Sequence, residues 1–164
     1  MKAKAKSSAG ILMFRRAPSG IEVLLAHPGG PYWRRKDAGA WALPKGEITD
    51  GEAELPAAIR EFTEETGVRP AGEFIPLGDL RQAGGKRVVA WAIEGDLDVA
   101  AITSNTFELE WPPRSGHRHS FPEVDRAGWF TLAEARVKIL KSQEPFLDRL
   151  AALSSMLGPD GVSD

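Results

Sequence analysis

The stretch that most restricts how this chain can fold is GEITDGEAELPAAIREFTEETGV, residues 46–68. Leu55, Ala58, Ile59, Phe62 and Thr66 recur at spacings of three and four, which predicts an amphipathic helix over Glu54–Thr66 with one largely apolar, buried stripe. Proline is tolerated only in the first turn of a helix, so Pro56 sets the start near Glu54. Gly67 marks the stop, since a left-handed residue often ends a helix. On a wheel of about 100° per residue, Glu65 lies about 40° to one side of Glu61 and Glu64 about 60° to the other. Three like charges on one face repel, at roughly 0.2–0.5 kcal/mol per pair. Clustered carboxylates on a rigid element suit a hard divalent cation, because magnesium takes oxygen ligands in near-octahedral geometry. A solvated acidic face is the alternative reading of EFTEE alone.

Around this helix the pattern alternates strands and helices. SSAGILMFRR and GIEVLLAHPGG predict a strand pair over about 9–16 and 21–27, joined by a turn at Pro18–Gly20. PGGPYWRRKDAGA is a long Gly/Pro-rich loop, and a short extended piece follows at 41–43. A hairpin is expected near 74–81 and 87–93, and NTFELEWPP is a further strand candidate. PPRSGHRHS reads as a loop; Thr131 is a good N-cap for LAEARVKIL, and a last helix is expected over about 144–156. The pattern suggests one α/β domain with a mixed sheet spanning 1–164, with residues 1–8 and 157–164 as flexible tails.

Composition narrows the chemistry further. The 164 residues carry a net charge of -2 and no cysteine, which excludes thiolate zinc sites, cysteine nucleophiles and a global basic field for nucleic acid. The apolar run Ile11–Phe14 is too short for a signal-peptide core, and no stretch approaches a membrane span. The expectation is a soluble cytoplasmic protein without a membrane or a stable nucleic-acid partner, as a monomer or homodimer.

Gly46, Glu52, Arg60, Glu61, Glu64, Glu65 and Gly67, with Phe62 and Val68 in the apolar places, match GX5EX7REUXEEXGU throughout and in this resemble the Nudix hydrolases. Seven fixed residues at background frequencies coincide about once in 10⁸ starting points. The resemblance implies a Nudix α/β/α sandwich with a mixed sheet. It also implies hydrolysis of a nucleoside diphosphate linked to another moiety, with magnesium or manganese as cofactor. By position, Glu61, Glu64 and Glu65 would bind the metal, with the Gly46 carbonyl as a further ligand. Arg60 and Glu52 would orient those carboxylates. Families of this fold often recruit a general base from outside the box. Glu64, Glu110 in FELEWPP and Glu123 in SFPEVD are candidates.

The substrate is less constrained. WALPKGE resembles the lead-in of dinucleoside polyphosphate and oxidised-nucleotide hydrolases, where a lysine like Lys45 lies near the phosphates. Trp33, Trp41 and Trp111 are candidate base-stacking platforms, with packing as the alternative. Arg34 and Arg114, with the basic residues around them, could form a rim for a polyphosphate. The leading expectation is hydrolysis of dinucleoside polyphosphates or nucleoside triphosphates. RNA 5′-end pyrophosphate removal and a non-catalytic nucleotide-sensing module are the alternatives.

Overall fold

The computed structural model describes residues 7–157. Its centre is β1 (Ser7–Ala17), whose residues Ala9–Phe14 are buried without a break. A strand with no polar alternation must be covered on both faces, and this one is. Ile11 and Met13 enter one apolar core while Leu12 and Phe14 enter the other.

β1 pairs in parallel with β5 (Arg87–Glu94) along one edge. Its other edge is shared: β3 (Lys45–Glu47) pairs antiparallel with Ser8–Gly10, and β2 (Gly20–Pro28) with Phe14–Ala17. β4 (Ile75–Arg81) and β8 (Val124–Thr131) complete a mixed sheet in the order β4-β5-β1-β2-β8, with β3 on β1. A separate hairpin joins β6 (Thr106–Glu110) to β7 (Arg118–Pro122). Residues 118–120, expected within a loop, therefore belong to a strand. HRHS lacks the apolar alternation by which a strand is recognised, because this hairpin exposes most of its side chains.

Helix α1 (Glu54–Thr66) covers one face of the sheet through Ala57, Ala58 and Phe62. Its last turn ends where predicted: Gly67 has φ 80° and donates its N–H to the Thr63 carbonyl at 2.8 Å. Leu55, expected in the buried stripe, is only half-buried in the first turn. α2 (Leu132–Lys138), capped by a Thr131–Glu134 capping box, and α3 (Glu144–Leu157) cover the opposite face through Ala135, Phe146, Leu147 and Leu150. The result is an α/β/α sandwich. Of the expected loose ends, Ser7 and Ser8 belong to β1 and Leu157 to α3; the remainder lies outside the described residues. No helix among the described residues is long and apolar enough to cross a membrane.

Candidate active site

The pairing of β3 with β1 carries Gly46 directly beneath α1. A Cβ built on Gly46 would land on the Glu61 carboxyl, so only glycine lets strand and glutamate approach this closely. Arg60 ties the acidic face together. Its Nε and Nη2 donate to the two oxygens of Glu52 at 2.8 and 2.9 Å, a bidentate pair, and Nη2 also donates to the Glu47 carbonyl at 3.0 Å. Nη1 donates to Glu61 at 3.1 Å and to Glu64 at 3.2 Å. Glu52 is fixed in turn by the Thr49 N–H and hydroxyl, at 3.1 and 2.9 Å.

These contacts set the electrostatics. The Arg60 guanidinium, with the Thr49 donors, holds the Glu52 carboxyl down at about 2. Burial, with the neighbouring Glu61 charge, pushes Glu65 up to about 8, against the partial relief of Lys45 and its backbone N–H. Burial also raises Glu61, although Arg60 opposes it. Carboxyl groups are thus crowded where desolvation disfavours their ionised form, a condition that a bound cation reverses. The donors are all oxygens, the choice of a hard divalent ion. Among the described residues no three carboxylates or imidazoles are drawn to ligand spacing, and Arg60 Nη1 stands between Glu61 and Glu64.

The two outside glutamates part company. The Asn105 N–H donates to the Glu64 carbonyl at 2.8 Å, and the Asn105 carbonyl accepts from the Glu123 N–H at 2.9 Å. Glu123 is thereby held at the root of the hairpin beside α1, where burial and the Glu64 charge raise its carboxyl. Glu110 lies five residues along β6 from Asn105, about 17 Å at the rise of a strand, and its carboxylate accepts from the Gly116 N–H at 2.9 Å. Its expected catalytic place is therefore not supported; it closes the far end of the hairpin. Asn105 has no sequence signal, since its contribution is made by backbone atoms alone.

A cavity of about 210 Å³ opens beside α1, lined by Lys45, Glu65, Glu123 and Trp33 among others. Lys45 and Trp33 thus line the same cavity as Glu65 and Glu123. Trp41 does not. It is 5% exposed, meets His27 and Phe130 edge-on with centroids 5.1 and 5.0 Å apart, and donates Nε1–H to Asp37 at 2.8 Å. The buried His27 also fixes the long loop, through Asp125 at 2.8 Å and the Lys36 carbonyl at 2.6 Å. Trp41 is a core residue because its polar edge finds a partner four residues away. Arg34 lines a neighbouring cavity, and Arg114, exposed at φ 63°, sits in the hairpin turn away from the carboxylates. A more open cavity of about 500 Å³, between Arg15, Asp96–Val99 and Trp129, contains none of the expected residues.

The NUDIX domain model matches residues 4–150. An RNA pyrophosphohydrolase of Novosphingobium aromaticivorans is 61% identical over 42 residues, which are 26% of this chain and 25% of that protein. This match therefore spans about a quarter of that relative's length. An RNA pyrophosphohydrolase of Rhizobium meliloti is 28% identical over 132 residues, 71% of this chain and 74% of that one. Among solved structures, a C. elegans Ap4A hydrolase binary complex superposes with a TM-score of 0.65 at 22% identity, over 91% of this chain and 98% of that one. Because the family match takes in β3, the acidic helix, the sheet beneath it and the segment that carries Glu123, the chain belongs to the Nudix hydrolases.

Proposed function

We propose that the chain hydrolyses a phosphoanhydride bond in a 5′-polyphosphorylated nucleotide, and that the 5′ end of RNA is the preferred form. One observation carries the reading: a single cavity brings Lys45, Glu65 and Glu123 together beside the carboxylates braced by Arg60. The likeness to RNA pyrophosphohydrolases supports the substrate. Dinucleoside polyphosphates are the second reading, favoured by the lead-in Trp41–Glu47.

Nudix hydrolases generally use divalent metal ions, and here Glu61, Glu64, Glu65 and the Gly46 backbone would hold magnesium or manganese. When bound, the ion would neutralise phosphoryl oxygens and make coordinated water more acidic. The protein's own groups supply the rest. Arg60 and Glu52 keep the carboxylates aimed. Lys45 meets a phosphate oxygen as a point charge. Glu123 takes the proton of the attacking water, and its raised carboxyl brings it closer to the working pH that general-base catalysis favours. Water oxygen bonds to phosphorus, the bridging P–O bond breaks, and the leaving phosphate departs with that bond's electron pair.

The test is a panel of 5′-triphosphorylated RNA, diadenosine polyphosphates, nucleoside triphosphates and ADP-ribose with Mg²⁺ or Mn²⁺, products resolved by chromatography. Triphosphorylated RNA should lose 5′ phosphates fastest. Glu64→Gln should abolish turnover in a folded protein. Glu123→Gln should lower kcat by roughly 10²–10⁴-fold with little change in KM. Wild-type rates in both variants would contradict the assignment.

A further inference from the structure

Three cavities follow one another along the loop after β2. The first, beside Glu65, shares Pro28, Trp33 and Glu123 with a second of about 220 Å³. The second shares Pro31 and Tyr32 with a third of about 330 Å³, lined also by Arg34, Arg35, Lys36 and Trp111. That third cavity has a different chemistry from the first. It holds no carboxylate, and its aromatic wall is open. Tyr32 is 56% exposed and meets Trp111 edge-on, with centroids 5.2 Å apart and planes at 80°.

Its basic wall is unpaired. Among the described residues Arg34 and Arg35 form no hydrogen bond or ion pair, and Lys36 lies over the Trp33 ring at 5.1 Å. Three consecutive cations on a chain of net charge -2 make a local field for an anion that the overall charge does not reveal. Exposed aromatic rings beside unpaired cations are how proteins hold a base and its phosphate on a single strand. The cavity is also large enough for such a group, as ligand pockets begin near 300 Å³.

We propose that this third cavity binds a second nucleotide of the substrate, its base against Tyr32 and Trp111 and its phosphate on Arg34 and Arg35. The proposal rests on the polyphosphate reading above, which places the first nucleotide's phosphates by Lys45 and Glu65. Two sources share this chemistry: the next nucleotide of an RNA, or the far nucleoside of a dinucleoside polyphosphate.

The experiment measures kcat/KM for a nucleoside triphosphate, a 5′-triphosphorylated dinucleotide and diadenosine tetraphosphate, in the wild type, Tyr32→Ala, Tyr32→Phe and Arg35→Ala. The wild type should favour at least one two-nucleoside substrate over the mononucleotide by tenfold or more. Tyr32→Ala and Arg35→Ala should erase most of that advantage, roughly fivefold or more for a lost stack, while Tyr32→Phe keeps it. The substrate whose advantage collapses identifies the source. Equal losses on all three substrates, or none, would overturn the proposal. If nothing is turned over, the hydrolytic reading fails separately. Binding of a 5′-monophosphorylated dinucleotide, followed by tryptophan fluorescence, then decides. A Kd raised at least fivefold in Tyr32→Ala upholds the second site, and an unchanged Kd overturns it.

Discussion

Glu65 sits farther above the ordinary carboxylate range than its neighbours, at about 8, chiefly through burial and then through Glu61. In the folded chain without metal it therefore favours its protonated form. That contribution to stability is fully present below the unfolded value near 4.5 and is lost as pH rises through about 8. Metal binding has the opposite demand, since a ligand carboxyl must be ionised. Magnesium affinity should therefore climb between pH 6 and pH 8, by up to about 50-fold for the release of one proton from a carboxyl half-ionised at pH 8. Calorimetric titration in buffers of different ionisation enthalpy would show the released proton directly. A pH-independent affinity would remove Glu65 from the ligand set. Glu52 follows the reverse sign: held down at about 2 by Arg60, it supports the fold above its unfolded value and is lost only as pH falls through that range.

The acidic helix was legible residue by residue, because its signals are local: Pro56 at the start, Gly67 at the stop and the spacing of Ala58 and Phe62 between them. What sequence could not supply was the depth of each position against the sheet. Leu55 shares the stripe but lies in a first turn that only grazes the sheet, while Phe62 is fully buried against β1 and β5. Phe62→Ala should accordingly cost about 3–5 kcal/mol, and Leu55→Ala less than about 2 kcal/mol. Thermal or denaturant unfolding measures both, and equal costs would mean that the helix lies differently on the sheet. Partners distant in sequence explain the other departures. Trp41 looks like a stacking platform until His27 and Phe130 are seen around it. Glu110 and Glu123 look alike until the Asn105 backbone ties one of them to α1.

At the scale of the molecule, β1 decides how the fold comes apart. Its neighbouring residues feed opposite cores, Ile11 and Met13 toward α1, Leu12 and Phe14 toward α2 and α3. Losing one core strips a face of the strand that the other core needs, so we propose that both melt together as one cooperative unit. The site spans that unit: β3, α1 and the Asn105–Glu123 link each contribute a part. A cation held by α1 binds only the folded chain, so it should stabilise the whole rather than one half. Each tenfold rise in free Mg²⁺ above its Kd should add about 1.4 kcal/mol, or roughly 3–6 °C in Tm for a chain of this size. Chelation should reverse the shift, and Glu65→Gln should blunt it. Scanning calorimetry gives the decisive reading. One endotherm moving intact fits a metal-bearing helix coupled to both cores. A transition that splits, with only the α1 side responding to magnesium, would mean that the two faces of β1 can be lost independently.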